Sequence, residues 1–334
     1  MSKESQGSVL LEVDDVSKEF PLKYGVMDAI TKKPRRSVKA VSNVSLQIRE
    51  GETLGLVGES GCGKSTLAKT IIGLLRPTGG RVVFAGQELT ALSKEQLRES
   101  CKSIQMIFQD PYSSLNPRMT VRQLLREELL YHKIVPEDQV EPEIEKLLKL
   151  VGMDVALADR LPAAFSGGQR QRIGIARALA VRPKLIIADE PVSALDVSIQ
   201  AQIINLLIDL QEQLNLAILF ISHDLRVVRY ISDRVDVMYL GSIVESGDTE
   251  QIYETPAHPY AKVLLDAAPS MSSDAILETE AAVLGELPSP IDLPSGCPFH
   301  PRCPYADERC KTEVPRPRQV GTDHMVACHY PLTY

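Results

Sequence analysis

The sequence predicts an α/β fold built on a parallel sheet, and three runs of residues carry this prediction. "TLGLVG", residues 53–58, is a short apolar run that precedes a glycine-rich loop and then an apolar helical pattern. "KLIIADE" and "LAILFISH" are continuous apolar runs, which are typical of parallel strands covered on both faces. Because a long helical pattern separates these two runs, the order strand, helix, strand indicates a parallel arrangement.

Two further strands are predicted before this core. "VLLEVDDVSKEF" and "VKAVSNVSLQI" alternate apolar and polar residues, with the basic insertion "KYGVMDAITKKPRRS" between them. This alternation is typical of half-buried strands and predicts an antiparallel layer near the N-terminus. The helix after the glycine-rich loop is predicted over residues 65–75.

Composition divides the chain near residue 255. Twelve of the 22 prolines lie between residues 256 and 331, so residues 1–255 are predicted to form a globular body and residues 256–334 an irregular C-terminal extension. Within the body, residues from about 102 to 180 are mostly helical in pattern. We expect them to form a helical subdomain inserted in the sheet.

Charge and hydropathy restrict the functional classes. The net charge of −7 and the pI of about 5.5 argue against bare nucleic acid as the main partner, since phosphate binding depends on clustered Lys and Arg. No run approaches the roughly 18 apolar residues that cross a bilayer, and the polar N-terminus lacks the core of a signal peptide. We therefore expect a cytosolic chain, which would work at a membrane only by docking onto membrane-spanning subunits.

The glycine-rich loop "GESGCGKS" has the spacing of a phosphate-binding loop and lies between a strand and a helix. Backbone N–H groups and a helix N-terminus bind polyphosphate there, and larger side chains would obstruct the close approach. Lys64 is expected to reach the β- and γ-phosphates and the Ser65 hydroxyl to ligate Mg²⁺. A plain glycine turn is the alternative. The predicted ATP-binding residues of this segment are Gly58, Glu59, Ser60, Gly61, Cys62, Gly63, Lys64, Ser65 and Thr66.

Two carboxylates end the strand "KLIIADE". Asp189, at the tip of a buried strand, is expected to hold Mg²⁺ directly or through water. Glu190 follows it and is expected to polarise the attacking water as general base. A solvated strand end is the alternative for an isolated acidic pair, but the phosphate loop favours the catalytic interpretation.

The segment "FSGGQRQRIGIARAL" resembles the signature of the ATP-binding subunits of ABC transporters, although Phe165 replaces the usual Leu. The resemblance implies an ABC ATPase core of the P-loop NTPase class, with the parallel sheet, antiparallel layer and inserted helical subdomain described above. It also implies that two subunits close head to tail, so that the signature of one binds the γ-phosphate of ATP held on the other. An ordinary loop and helix cap is the alternative. The signature residues are Ser166, Gly167, Gly168 and Gln169.

Other motifs match this family in order. By resemblance, Gln109 in "MIFQDP" contacts Mg²⁺ and the attacking water, Asp196 in "SALD" belongs to the D-loop, and His223 in "ISHD" contacts the γ-phosphate. Phe20 lies where the family places an aromatic that stacks on adenine, and Tyr24 is the alternative.

Four further segments narrow the resemblance to one branch of the family. "HPYAKVLLDAAPS", "FQDPYSSLNPRMTV" and "GELPSPIDLPSGCPFHPRCPYADERC" are similar to the oligopeptide and dipeptide permease branch, and "VGESGCGKST" to its F-type subunit. This implies a peripheral ATPase at the cytoplasmic face of the inner membrane. Its implied partners are a D-type sister ATPase as heterodimer, two transmembrane permease subunits and an extracytoplasmic peptide-binding protein. Nickel or another solute is the alternative cargo.

Four cysteines crowd the extension at spacings C-x5-C-x6-C-x17-C: Cys297, Cys303, Cys310 and Cys328. These spacings do not fit the short knuckles of most zinc sites. Four thiolates can hold an iron–sulfur cluster of the 4Fe-4S type, and the resembling subunits carry one in this extension. We expect such a cluster in a structural role first, with redox sensing as an alternative. Zinc with help from His300, His324 or His329, and unligated thiols, also stay open.

Peptide import has two alternatives, and features of the sequence disfavour both. A soluble ABC protein acting on ribosomes or DNA would carry two nucleotide domains or a long coiled coil, whereas this chain has a single phosphate loop and no sustained heptad. A regulatory subunit without turnover is disfavoured because Glu190 and His223 are both present.

Overall fold

The computed structural model describes residues 7–22, 36–110, 115–267 and 287–332. Numbered in chain order, the strands are β1 (Val9–Pro21), β2 (Ser37–Arg49), β3 (Thr53–Val57), β4 (Gly79–Phe84), β5 (Gln87–Glu88), β6 (Ile104–Ile107), β7 (Leu185–Asp189), β8 (Ala217–Ile221), β9 (Arg234–Tyr239), β10 (Ser242–Asp248), β11 (Arg318–Gly321) and β12 (His324–Val326). The α-helices are α1 (Lys64–Ile71), α2 (Lys94–Ser100), α3 (Val121–Tyr131), α4 (Val140–Leu150), α5 (Gly167–Ala180), α6 (Val197–Leu214), α7 (Leu225–Ile231), α8 (Thr249–Glu254), α9 (Pro259–Asp266) and α10 (Glu308–Thr312).

The chain folds into two compact units. The first unit comprises residues 1–10, 48–53 and 91–222, and the second comprises residues 11–47, 54–90 and 223–334. No helix in the described ranges is long and apolar enough to cross a membrane.

The first unit contains the parallel strands that the apolar runs predict. β6, β7 and β8 are adjacent and parallel, with Ile187 opposite Met106 on one side and Leu219 on the other. Every residue of β7 and β8 is buried, which explains why both runs lack polar alternation. α3, α4 and α5 pack against one another, and β6 adds a strand to the range predicted as mostly helical.

The second unit contains two sheets. One has the order β2-β1-β4-β5, with β1 antiparallel to β4, which confirms the predicted N-terminal antiparallel layer. In the other, β3 pairs in parallel with β9, β9 pairs antiparallel with β10, and β12 and β11 follow. β3 is buried along its whole length.

Two sequence predictions need correction here. The helix after the phosphate loop ends at Ile71 rather than at residue 75, because Gly73 takes a left-handed conformation (φ 79°) that cannot continue an α-helix. The C-terminal extension is more regular than predicted. It contains α9 and α10, and β12 pairs with β10 at Glu245 and Ser246. A strand of three residues carries no readable alternation of its own.

Candidate functional site

The phosphate loop, residues 58–66, is shaped by positions that exclude a side chain. A Cβ at Gly58 would lie 2.2 Å from the Met238 carbonyl oxygen, and one at Gly63 would lie 2.1 Å from that of Ala40. Gly63 also has a φ of 111°, which only glycine adopts at low cost. Glycine is therefore required here for close backbone approach, as the motif predicts.

Lys64 begins α1 inside this loop. Its side chain is buried, and Nζ donates to the carbonyl oxygens of Gly58 at 2.7 Å and Glu59 at 3.0 Å. Cys62 is also buried, and burial raises the pKa of its thiol although the Lys64 cation acts in the opposite direction. The buried lysine at a helix N-terminus makes this loop suited to an anionic ligand.

Phe20, the predicted adenine-stacking residue, is half-buried at the end of β1. The Lys18 ammonium lies 5.1 Å from the centre of its ring, in a cation–π contact. Tyr24, the alternative, lies outside the described residues.

In the first unit, the structure brings Gln109 and Glu190 together. Gln109 Nε2 donates a hydrogen bond of 2.9 Å to Glu190 Oε2. Glu190 has a φ of 48°, in the left-handed region that is uncommon for residues other than glycine. Its N–H donates to Ile221 O at 2.9 Å, and its carbonyl accepts from the Ser193 hydroxyl. Backbone contacts therefore fix the unusual conformation that directs this carboxylate to Gln109. Asp189, the last residue of β7, is buried.

The signature segment forms the start of α5. Ser166 is the N-cap and makes a capping box with Gln169: the Gln169 N–H donates to Ser166 Oγ, and the Ser166 N–H donates to Gln169 Oε1. A Cβ at Gly168 would lie 2.4 Å from Ile199 Cγ2 on α6. The helix cap that the sequence left open as an alternative is thus present. Ser166 at this helix N-terminus is exposed, which remains compatible with anion binding.

Two predicted residues precede helices as exposed side chains. Asp196 is the N-cap residue of α6, but its side chain makes no capping hydrogen bond. His223 follows β8 and is exposed, next to the N-cap Asp224 of α7. Asp224 is bridged by Arg226, and hydrogen bonds from Arg226 hold the pKa of that carboxyl below its usual range despite partial burial.

The four C-terminal cysteines line one small cavity, called here the cysteine cavity. Burial raises the pKa of each thiol, to about 11 for both Cys297 and Cys328, and neighbouring thiols add to this effect at Cys297, Cys303 and Cys328. Its other lining residues include His258, Phe299, His300, Tyr305, His329 and Tyr330. Within the part of the chain that the structure describes, no three His, Cys, Asp or Glu side chains are placed to hold a metal ion.

The three histidines considered as zinc ligands have other hydrogen-bond partners. His300 Nδ1 is 3.0 Å from Cys297 O, and His329 Nε2 is 2.9 Å from Glu313 O. His324 is buried on β12, where its Nε2 lies 2.7 Å from the carboxylate of Glu245. His324 therefore joins the extension to β10.

His258 is buried and lines the cysteine cavity, although its place in the segment "HPYAKVLLDAAPS" gives no indication of this role. Its Nδ1 accepts from the Tyr260 N–H at 3.0 Å, so the ring proton lies on Nε2, and burial lowers the pKa of the ring to about 3. Nε2 is fully buried without a hydrogen-bond partner among the described residues. A buried N–H of this kind is suited to an acceptor within the cavity.

Sequence reasoning also missed the contacts of Glu59. Its carboxylate pairs with Arg302, and its N–H donates to the Tyr260 hydroxyl at 3.0 Å. These partners are 243 and 201 residues away in sequence, so no local pattern indicates them.

Comparisons with known proteins agree with these motifs. A family model described as ABC transporter matches residues 41–193. A second, described as oligopeptide/dipeptide transporter, C-terminal region, matches residues 244–310. Among curated proteins, the oligopeptide transport ATP-binding protein AppF of Bacillus subtilis is 52% identical over 96% of this chain and 97% of its own. The oligopeptide transport ATP-binding protein OppF of Escherichia coli is 49% identical over 96% of each chain.

Solved structures show the same fold. A cbiO1 protein from Clostridium perfringens, part of the ABC transporter complex cbiONQ, is 28% identical with a TM-score of 0.63, over 74% of this chain and 91% of its own. The ATP-binding cassette MJ0796, solved as a dimer with ADP and Pi, is 28% identical with a TM-score of 0.62, over 72% of this chain and 99% of its own. The fold class predicted from the sequence is thereby confirmed.

Proposed function

Since the chain belongs to the ABC transporter family, in the branch that carries the oligopeptide/dipeptide transporter C-terminal region, we propose that it is the ATP-hydrolysing subunit of a peptide importer. The observation that carries this proposal is the identity of about half the residues to peptide-transport ATP-binding proteins along nearly the whole of both chains, the extension included. In this proposal, residues 1–255 form the nucleotide-binding domain and residues 256–334 the family extension.

The phosphate loop and Lys64 would bind the β- and γ-phosphates of ATP, and Phe20 would stack on adenine. Ser65, Asp189 and Gln109 would hold Mg²⁺, which neutralises phosphate charge when it is bound. Glu190 would take the proton of the attacking water, with its carboxylate oriented by the Gln109 amide.

The remaining motif residues would act across a pair of subunits. His223 would donate to the γ-phosphate of the nucleotide on its own subunit. The α5 N-terminus with Ser166, Gly167, Gly168 and Gln169, together with Asp196, would complete the site of the partner subunit. In this proposal, ATP binding shifts the pair of subunits from an open to a closed state, and hydrolysis returns the pair to the open state.

For the cysteine cavity we propose an iron–sulfur cluster of the 4Fe-4S type, held by Cys297, Cys303, Cys310 and Cys328. Four thiols lining one buried cavity are the donor set that such a cluster requires. His258 lines this cavity, and its buried Nε2–H would supply a donor for a sulfur acceptor. Anaerobic purification followed by visible absorption and analysis of iron, acid-labile sulfide and zinc tests this. About four irons and four sulfides per chain support the cluster, whereas stoichiometric zinc or unligated thiols contradict it.

The proposed partners are a D-type sister ATPase, two transmembrane permease subunits and an extracytoplasmic peptide-binding protein, which places this chain at the cytoplasmic face of the inner membrane. Co-purification from membranes and identification of the captured chains tests the assembly. Capture of a second copy of this chain in place of a sister ATPase would contradict the heterodimer.

Peptide import is tested by reconstituting the assembly in proteoliposomes with its binding protein. We expect ATP hydrolysis that rises with peptide and falls to background in the Glu190→Gln variant. Stimulation by nickel but not by peptides would assign another cargo, and stimulation by ribosomes or DNA without the permease would contradict import altogether.

A further inference from the structure

The phosphate loop is held in place by the C-terminal extension through one ion pair. Arg302 Nη1 donates to Glu59 Oε2 at 3.1 Å, and Nη2 donates to Glu59 Oε1 at 3.0 Å. The Arg302 side chain is 4% exposed and that of Glu59 is 22% exposed. This is the bidentate, charge-assisted arrangement that fixes both partners in direction as well as in distance.

Two other groups of Glu59 are fixed as well. Its N–H donates to the Tyr260 hydroxyl, and its carbonyl oxygen accepts from Lys64 Nζ. Tyr260 is fully buried, with its ring 4.6 Å from Tyr239 and 5.4 Å from Phe299 between ring centres. Residues of the extension thus hydrogen-bond both the backbone and the side chain of Glu59, the second residue of the phosphate loop.

The position of Arg302 depends in turn on the fold around the cysteine cavity. Arg302 ends a short 3-10 turn, His300–Arg302, that lies between Cys297 and Cys303. The His300 N–H donates to Cys297 O at 3.0 Å, and the Cys303 N–H donates to His300 O at 3.3 Å. A structural change at Cys297 or Cys303 would therefore move the turn that positions the guanidinium group of Arg302.

We propose that Arg302 is a positioning residue for ATP binding, which couples the folded cysteine region to the phosphate loop. It acts in two ways. It holds Glu59 so that the neighbouring backbone N–H groups are preorganised for phosphate, and it compensates a carboxylate that would otherwise repel the polyphosphate. By linkage, ATP stabilises the folded cysteine region as much as that region favours ATP. The inference rests on the proposed function in one respect, namely that this loop binds ATP.

The test measures the Kd of MgATP for the full-length chain and for its variants by calorimetry, at a temperature where circular dichroism shows each to be folded. For Arg302→Met we expect the Kd to rise about tenfold. For Glu59→Gln/Arg302→Met we expect it to return most of the way to the wild-type value, since the uncompensated carboxylate is gone. The matched control is Arg309→Met, which removes an exposed arginine of the same extension paired with Glu313, and its Kd should not change.

The results distinguish a failure of the proposed role of Arg302 from a failure of the proposal that the phosphate loop binds ATP. Lys64→Ala should abolish binding, and wild-type affinity in that variant would overturn the loop assignment itself. Loss of binding in Lys64→Ala together with a wild-type Kd in Arg302→Met overturns only the positioning role. If Arg302→Met does not fold, Arg302→Lys replaces it, because lysine keeps the charge but cannot make the bidentate pair. An unchanged Kd in Arg302→Lys would then count against the proposal, and a rise of about threefold would support it.

Discussion

Glu59 in the phosphate loop and Glu190 at the end of β7 are both half-buried carboxylates, but their partners differ in charge. Glu59 is paired with the guanidinium of Arg302, whereas Glu190 accepts from the neutral amide of Gln109. A cation compensates a carboxylate and fixes it as a structural anion, while an amide orients it without neutralising it. The contrast distinguishes a loop carboxylate that is paired with a cation from the carboxylate that we propose as general base.

The largest effect is expected from changing Glu190, the carboxylate proposed to take part in the chemistry. Glu190→Gln removes the proposed general base, so we expect ATP turnover in the assembled transporter to fall at least about 100-fold while ATP still binds. Phosphate release is the measurement. The matched control is Glu127→Gln on α3, an exposed glutamate, which should turn over normally. Turnover within twofold of wild type in Glu190→Gln would assign the base to another residue.

A smaller effect is expected from Glu59→Gln, which tests the structural role of the pair with Arg302. This change removes the carboxylate that pairs with the buried guanidinium of Arg302, so we expect the free energy of unfolding to fall by about 2 kcal/mol, less than for a fully buried pair because Glu59 is partly exposed. Denaturant unfolding measures it. Glu313→Gln, which breaks the exposed pair with Arg309, is the control and should show no measurable change. Equal stability of the two variants would show that the Arg302 pair contributes nothing to folding.

The smallest effect is expected from Gln109→Ala, which tests how much the orientation of Glu190 contributes to turnover. Gln109→Ala removes the amide that orients Glu190, together with one of the three proposed contacts to Mg²⁺, but keeps the carboxylate, so we expect turnover to fall by about tenfold, corresponding to about 1.4 kcal/mol in the barrier. The free energy of unfolding should stay close to that of wild type. Gln139→Ala, an exposed residue before α4 whose side chain makes no capping bond, serves as control. A fall as large as that of Glu190→Gln would mean that Gln109 does more than orient.

The phosphate loop could be predicted from sequence because its determinants are local. Gly58 and Gly63 are required by backbone contacts that recur wherever a strand turns into a phosphate-binding helix, and Lys64 follows from the same spacing. β7 and β8 were equally readable, since strands buried on both faces must be continuously apolar.

The extension could not be predicted in this way, because its order comes from distant partners. β12 pairs with β10, a strand far away in the sequence, and the buried His324 lies 2.7 Å from the carboxylate of Glu245. Arg302 reads in the sequence as one more charged residue beside a proline and a cysteine. Its burial against Glu59 and Tyr239 follows from packing that no short pattern encodes.

The separation of 243 residues between Glu59 and Arg302 has a consequence for biosynthesis. At about 5–20 residues per second of translation, the loop leaves the ribosome roughly 12 to 50 seconds before its arginine does. During that interval the nascent chain carries its nucleotide motif with Glu59 uncompensated. A chain truncated before Arg302 would lack this partner of Glu59, so the proposed positioning role predicts weaker ATP binding until Arg302 has been synthesised and has folded against the loop.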